Sequence, residues 1–325
     1  MKKRGLPIHG WVVFDKPLGM SSTQGVGKIR WLFNAEKAGH GGTLDPLATG
    51  LLPIALGEAT KTVQWAMDGR KTYRFRVKWG AETETDDLEG KVSAESVLKP
   101  NQLSIESILN QFIGNITQVP PIYSALKIDG ERAYDLARAG ETPQMTPRQV
   151  LIEELRCFRS DTPPQPSPHG GGRRQEDSSQ EGRLEYSDFE VVCGKGTYIR
   201  ALARDMGRKL GCFGHLTLLR RTQVGPFLEK DMISLESLEE LSHKPDRETA
   251  LQGVLHSIST VLDGIPALVV LEKDAARLRQ GQPVLLRGAN APLSEAAVLI
   301  RCDNQPIGIG EISQGMLKTK RLFNL

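Results

Sequence analysis

The sequence predicts an α/β protein of the α+β kind, with a large first domain and a small β-rich region at its end. Three observations support this class: apolar residues at helical spacing, a strand with alternating apolar and basic residues, and two strand-like segments that form one hairpin. The chain has 325 residues, 39% of them hydrophobic and 25% charged, which suffices for one large core and a smaller second one.

The helices are predicted from their caps and apolar faces. Ser21 or Ser22 can cap a helix that runs to about Phe33, and a second helix is expected near residues 105–112. A third helix begins near Ile199 and stops at Gly211. It carries a second stripe at i, i+4 and i+8, formed by Arg200, Arg204 and Arg208. That stripe is either a solvated face or part of a site.

The strands are predicted from alternation. Tyr73, Phe75, Val77 and Trp79 alternate with Arg74, Arg76 and Lys78, which indicates a strand with an apolar and a basic face. Residues 150–158 and 187–193 are predicted to be two arms of one hairpin. Between them, residues 160–183 contain no hydrophobic side chain, so we expect a disordered loop that interrupts the first domain without ending it.

The domain organisation follows from these elements. The polar residues 242–248 are typical of a linker, and the region after them is rich in strands and glycines. We therefore predict one domain over residues 1–245 and a second over residues 250–325.

Charge and cysteine usage limit the class of protein. Net charge is only +3, but residues 70–78 hold five basic residues and no acid, and residues 195–230 hold eight basic residues and two acids. Such segregation suits a polyphosphate partner. No apolar run reaches the length of a membrane span, and no signal core follows the basic start, so we expect a cytoplasmic protein without membrane contact. The four cysteines form no C-x-x-C pair and are expected to be reduced thiols, not metal ligands.

The most informative segment is residues 40–53, HGGTLDPLATGLLP. Gly41 and Gly42 permit a sharp turn, and Pro46 biases Asp45 toward an extended backbone. Asp45 is therefore predicted at the end of a turn, between apolar side chains.

This segment resembles the catalytic motif of the bacterial tRNA pseudouridine-55 synthases, the TruB family. Further blocks similar to that family follow in the expected order over nearly all of residues 8–230. They are residues 10–22 (GWVVFDKPLGMSS), 71–75 (KTYRF), 120–127 (PPIYSALK), 132–134 (RAY), 195–200 (KGTYIR) and 219–221 (LRR).

The resemblance implies both fold and reaction. It implies a catalytic domain on a mixed, largely antiparallel sheet, an RNA-gripping insertion at about residues 120–147, and a C-terminal RNA-binding domain of the PUA type. The implied reaction isomerises uridine 55 in the T-loop of tRNA to pseudouridine. This reaction involves no redox change and no phosphoryl transfer, so we expect neither a cofactor nor a metal. The expected partner is the T-arm stem-loop of tRNA, bound by a monomer with no protein partner.

The resemblance also assigns catalytic roles. Asp45 corresponds to the nucleophile, which must be ionised, and burial would raise its pKa unless a cation lies near. Arg200 corresponds to the arginine that pairs with this acid. Tyr73 corresponds to the tyrosine that stacks on the target base and is implicated in removing the C5 proton. The alternatives are a solvated arginine and an ordinary inward-facing aromatic.

Three further positions correspond to substrate contacts. His40 matches the histidine that helps displace the target nucleotide, although a histidine before two glycines could equally be a turn residue. Tyr198 and Leu219 match other substrate-contacting positions, and both could be core residues instead. The resemblance does not decide whether Asp45 attacks C1′ or C6, or acts through a glycal.

Two other functions remain open from the sequence. One is a pseudouridine synthase that acts on ribosomal RNA or uses a guide RNA, against which the insertion argues. The other is an RNA-binding chaperone that folds tRNA, against which the intact set of Asp45, Tyr73 and Arg200 argues. The first alternative differs from the main prediction in its RNA substrate. The second differs because it requires no reaction.

Overall fold

The computed structural model describes residues 5–124, 126–128, 130–141, 143–158, 182–288 and 290–325. The chain divides into two compact units. The first unit combines the residues up to Gly69 with Val224–Leu325, and the second comprises Arg70–Gln223. The loop predicted at residues 160–183 lies outside the described residues except for its last two positions.

The first unit starts with two long antiparallel strands and a capped helix. The elements before residue 70 are β1 (Gly10–Lys16), α1 (Ser22–Leu32), β2 (Ala38–His40), β3 (Ala48–Leu56) and α2 (Val63–Asp68). Strand β3 pairs antiparallel with both β1 and β2. The predicted start of α1 is confirmed: Ser21 Oγ accepts from Gln24 N at 3.2 Å, and the Gln24 side chain accepts from Ser21 N at 2.8 Å.

The second unit holds an antiparallel sheet with helices beside it. Its elements are β4 (Lys71–Trp79), β5 (Ala81–Thr83), β6 (Val92–Glu95), α3 (Gln102–Leu109), β7 (Gly114–Gln118), β8 (Lys127–Ile128), β9 (Glu131–Arg132), α4 (Ala133–Arg138), β10 (Arg148–Phe158), β11 (Tyr186–Cys193), α5 (Ile199–Lys209) and β12 (Gly214–Val224). The order across the sheet is β12, β4, β11, β10, β7. The pairing of β10 with β11 confirms the predicted hairpin.

The two faces of β4 behave differently from each other. Its apolar face is buried as predicted, and the Phe75 ring stacks on Phe189 at a centroid distance of 5.1 Å. On the other face Arg74 pairs with Glu190 at 3.0 Å, and Arg76 with Asp188 at 2.6 Å. Two of the five basic residues that the sequence suggested for a polyphosphate are therefore paired with acids on the neighbouring strand.

The remainder of the first unit is β-rich, as predicted. Its elements are β13 (Phe227–Leu228), α6 (Leu235–Ser242), α7 (Arg247–Gln252), β14 (Ala267–Val269), α8 (Glu272–Arg279), β15 (Val284–Leu285), β16 (Ser294–Cys302), β17 (Gln305–Ser313) and β18 (Met316–Leu322). The sheet order is β14, β16, β17, β18, β15, and only the contact of β14 with β16 is parallel among these pairs.

Two hydrophobic cores organise the first unit. One lies between α8 and the C-terminal sheet and includes Leu278, Ile300 and Leu317. The other joins Trp11 and Leu51 to residues of the C-terminal sheet. Because early and late parts of the chain share this second core, the division at residues 245–250 stays a prediction.

The segment predicted as a linker, residues 242–248, joins two short helices. Ser242 ends α6 and Arg247 begins α7, in which Leu251 is buried. Only residues 243–246, which are exposed, lie outside the helices, so the linker between domains stays a prediction. No helix in the described part of the chain is long and apolar enough to cross a bilayer.

Candidate active site

Asp45 lies in the turn that connects β2 to β3. Its carbonyl accepts a hydrogen bond from Ala48 N at 3.0 Å, which closes the turn through Pro46. The carboxylate-bearing residue is half-buried, and Leu44 before it is buried. The turn therefore presents one acid at the edge of an apolar core, as the sequence predicts.

Gly41 explains why this turn begins with glycine. A Cβ placed on Gly41 would lie 2.9 Å from the Cβ of Ala66 and 3.5 Å from the ring of Trp11. The first of these distances is too short for two carbon atoms. The backbone of the turn thus rests directly on α2 and β1.

Two residues of the 10–22 block hold the backbone on both sides of Asp45. Ser22 Oγ donates to Leu44 O at 2.9 Å and accepts from Leu44 N at 2.8 Å. The fully buried Lys16 donates from Nζ to Met20 O at 2.6 Å, to Pro17 O at 3.0 Å and to Pro46 O at 3.3 Å. We call Lys16 and Ser22 the turn clamp. The sequence placed both in a motif without giving them a role, and no local signal indicated burial of Lys16, because lysine is seldom fully buried.

His40 ends β2 and is half-buried. Its Nδ1 accepts from Gly42 N at 3.4 Å, so the ring caps the glycine turn. This contact fits the structural alternative, and it also fixes the ring beside the Asp45 turn. The role of His40 toward substrate stays a prediction.

The other sequence-predicted site residues lie in the second unit. Tyr73 is on the buried face of β4, and Leu219 is buried on the neighbouring strand β12. Tyr198 directly precedes α5, and the Gln118 side chain binds its backbone at both N (2.8 Å) and O (3.1 Å). The structure thus brings Tyr73 and Leu219 onto adjacent strands, and Tyr198 next to Arg200. The roles of these residues stay predictions, as does the pairing of Arg200 with Asp45.

Arg200 is not part of a solvated stripe. It is 6% exposed and donates to Thr85 O at 3.0 Å and to Tyr123 O at 2.9 Å, while the Asp87 carboxylate lies 3.7 Å away. A guanidinium fixed by three groups has a defined direction. The solvated-stripe interpretation is therefore wrong for this residue.

The next two arginines of α5 continue the same pattern. Arg204 pairs with Asp86 at 2.9 Å, and Arg208 Nε donates to Glu82 at 2.7 Å. We call residues 82–87 the acidic loop. The sequence showed an acidic, turn-like stretch and an arginine stripe separately, but their contact is long-range and could not be deduced from either.

Burial shifts the pKa of one group in the acidic loop and of one group near it. Desolvation raises the pKa of Asp86 to about 6, against the opposing charges of Arg204 and Arg200. Burial also lowers the pKa of His215, whose Nδ1 lies 2.8 Å from Ala81 O. His215 is therefore neutral near pH 7.

Three family models match successive parts of the chain. Residues 30–199 match the TruB family pseudouridylate synthase N-terminal domain, and residues 200–263 match the tRNA pseudouridylate synthase B C-terminal domain. Residues 266–323 match a C-terminal domain of pseudouridine synthase II TruB. Together they cover most of the chain.

Bacterial relatives match over nearly the whole length. A protein of Rhodopseudomonas palustris named tRNA pseudouridine synthase B is 52% identical over 98% of this chain and 81% of its own. Proteins of the same name from Brucella melitensis (47%; 99% and 98% of the two chains) and Agrobacterium fabrum (48%; 99% and 96%) are similarly close.

Solved structures support the fold. The chain is similar to one in a Cbf5–Nop10–Gar1 complex, with a TM-score of 0.69 and 24% identity over 96% of this chain and 84% of the other. This likeness, with the β-rich C-terminal region, confirms the predicted fold class. The family match and the relatives confirm the resemblance first seen in the motifs, and the chain belongs to the TruB family of pseudouridylate synthases.

Proposed function

We propose that this protein isomerises uridine 55 in the T-loop of tRNA to pseudouridine, with Asp45 as the nucleophile. The observation that carries the proposal is the clamped turn that presents Asp45 within the family's catalytic motif. The names of the bacterial relatives, tRNA pseudouridine synthase B, favour tRNA over ribosomal or guided substrates.

The chemistry requires few groups. The N1–C1′ bond of the uridine breaks, a C5–C1′ bond forms, the proton on C5 is lost, and N1 gains a proton. The ionised Asp45 carboxylate attacks the nucleoside and stabilises the state in which the base is detached from the ribose. Arg200 supplies a cation whose direction is fixed by Thr85 O and Tyr123 O. Tyr73 supplies an aromatic face for the base and a hydroxyl near its C5 proton.

The remaining predicted residues act on the RNA. The target uridine lies within a structured loop, and flipping it out costs a few kcal/mol. His40, Tyr198 and Leu219 would bind the displaced nucleotide, and stacking on aromatic rings returns about 1–3 kcal/mol per base. The stem would be bound through its shape, phosphates and 2′-hydroxyls. We place this monomeric enzyme in the cytoplasm with its tRNA.

The test measures isomerisation directly on tRNA. A T-arm stem-loop that carries tritium at C5 of the uridine at position 55 releases tritium only when that uridine is isomerised. Asp45→Asn keeps the volume and removes the charge, so release should vanish while the filter-binding Kd stays within about threefold of wild type. The matched control is Asp263→Asn, because Asp263 is an exposed acid outside the turn. A single-turnover rate for Asp45→Asn within tenfold of wild type would remove Asp45 from the mechanism.

Three further variants test the other two predicted catalytic residues. Tyr73→Phe keeps the stacking face and should bind RNA yet stall, whereas Tyr73→Leu loses both functions. Arg200→Lys keeps the charge and loses the two-pronged geometry, so its rate should fall substantially. Near-normal rates for both Tyr73 variants would make Tyr73 a core residue only.

A further inference from the structure

The base of the insertion is held by the same helix that carries Arg200. We define the insertion base as residues 119–124. Arg204 Nη2 donates to Val119 O at 2.8 Å, and Arg200 Nη2 donates to Tyr123 O at 2.9 Å. Two arginines, one helical turn apart, thus hold two carbonyls that lie four residues apart.

The same two arginines also hold the acidic loop. Arg204 Nη1 donates to Asp86 Oδ2 at 2.9 Å, and Arg200 Nη1 donates to Thr85 O at 3.0 Å. Each guanidinium therefore bridges one position of the acidic loop and one position of the insertion base. We infer that Arg204 is a positioning residue, which holds the insertion base against the acidic loop. Arg200 binds the same loop. This inference depends on the proposed function.

The geometry at Arg204 requires a guanidinium. The residue is 8% exposed, and its three nitrogens have three different acceptors: Asp205 for Nε, Asp86 for Nη1 and Val119 O for Nη2. A lysine ammonium is a compact point charge without this planar fork. It could keep the ion pair with Asp86 but could not reach all three acceptors in the same arrangement.

The space between the acidic loop, α5 and both ends of the insertion is a groove open to solvent, which gives these hydrogen bonds more weight. The groove has a volume of about 400 Å³, and the residues that line it include Asp86, Val119, Ile122, Pro143 and Met145. Where apolar contact is reduced, local opening costs less free energy. Loss of Arg204 should therefore loosen the insertion locally rather than unfold the unit.

A strained residue in the acidic loop also supports a positioning role for Arg204. Asp86 has a φ of +61°, in the left-handed region that non-glycine residues seldom adopt. Its carbonyl is held by Leu216 N at 3.0 Å and its carboxylate by Arg204. Arg204 thus helps to keep a strained residue in place next to the Thr85 carbonyl that orients Arg200.

The first experiment needs no RNA and so does not depend on the proposed function. Full-length wild type, Arg204→Met and the control Arg208→Met are digested briefly with trypsin. Mass spectrometry quantifies cleavage after Lys127, Arg132 and Arg138 separately from cleavage elsewhere. Arg208 is a suitable control because it lies on the same face of α5 as Arg204 and pairs with Glu82 of the acidic loop. Unlike that of Arg204, its side chain is 55% exposed. We expect at least tenfold faster cleavage in the insertion for Arg204→Met and wild-type cleavage for Arg208→Met.

The second experiment separates positioning from general stability. With the T-arm stem-loop, Arg204→Met should raise KM at least tenfold while kcat stays within threefold, because Leu216 N still holds the Asp86 carbonyl and so keeps Thr85 O in place for Arg200. A purely structural role would reduce the active fraction, which lowers kcat and leaves KM unchanged. Arg204→Lys should not restore the wild-type KM.

The inference is overturned by any of three results. These are insertion cleavage within threefold of wild type, an unchanged KM, or full rescue by Arg204→Lys. If Arg204→Met lowers the melting temperature by more than about 10 °C, cleavage and KM of Arg204→Lys are used to test the inference instead. That variant should show the same local increase in cleavage, and wild-type cleavage together with a wild-type KM would overturn the inference.

Discussion

Replacing Lys16 by Met tests whether the turn clamp sets the position of Asp45. Methionine fills a similar volume but cannot donate to Met20 O or Pro17 O, whereas Pro46 O still accepts from Gly19 N at 2.9 Å. The Pro17 and Met20 carbonyls are part-buried, and each one left without this donor costs at most about 1–3 kcal/mol. Removing a buried ammonium returns part of this, because its desolvation is no longer required. We expect a net loss of about 2–3 kcal/mol of unfolding free energy.

The larger effect should be on the reaction rate. Pro46 directly follows Asp45, and its carbonyl loses one of two donors. A displacement of about 1 Å in a reacting group can reduce a rate about 100-fold. Single-turnover tritium release should therefore fall about 100-fold, while the Kd for the stem-loop stays within threefold. Urea unfolding followed by fluorescence measures the stability change.

The matched control is Lys28→Met in the same unit. Lys28 pairs with Glu239 at 2.6 Å, but the two side chains are 35% and 41% exposed. Such a pair contributes about 0–1 kcal/mol. If Lys16→Met lowers stability by less than 1 kcal/mol and the rate by less than threefold, as Lys28→Met should, the clamp does not position Asp45.

Two other predictions follow from packing and burial. Gly41→Ala places a Cβ 2.9 Å from the Cβ of Ala66 and should cost about 1–3 kcal/mol together with most of the activity. Gly39→Ala is its control, since a Cβ there has no atom within 4 Å, and equal behaviour of the two variants would contradict the argument. Burial raises the pKa of both Cys193 and Cys212 to about 11, so at pH 8 only about one thiol in a thousand is ionised. Iodoacetamide should modify neither in the native protein but both in guanidinium chloride, and native alkylation observed by mass spectrometry would refute this.

Much of the fold was predictable because its signals are local. The cap at Ser21, the alternation along β4 and the stop at Gly211 each depend on residues within a few positions of one another. Local signals were less exact in one place. Three of residues 242–248 belong to the ends of α6 and α7, and composition alone does not show where two short helices end and the turn between them begins.

The surroundings of the site were less predictable than its chemical groups. Asp45 and Arg200 were predicted as site residues from motifs, but the partners of Arg200 are more than 70 residues away in sequence. The arginine stripe on α5 and the acidic loop carry opposite charges, yet no spacing rule joins segments so far apart. Similarly, the basic face of β4 seemed suited to RNA because its acidic partners are distant in sequence. They lie on β11, which follows the segment of residues 160–183.

The two units hold their functional groups by different means, and this difference has consequences for catalysis. In the first unit Lys16 and Ser22 bind backbone atoms of the Asp45 turn, so the acid is positioned by the chain path itself. In the second unit Arg200 and Arg204 bind both side chains and carbonyls of two separate segments. A backbone clamp fixes one geometry, and its loss should appear mainly in kcat. A bridge between two segments can also transmit the position of one segment to the other, and the loss of Arg204, which has no predicted role in the reaction itself, should appear mainly in KM.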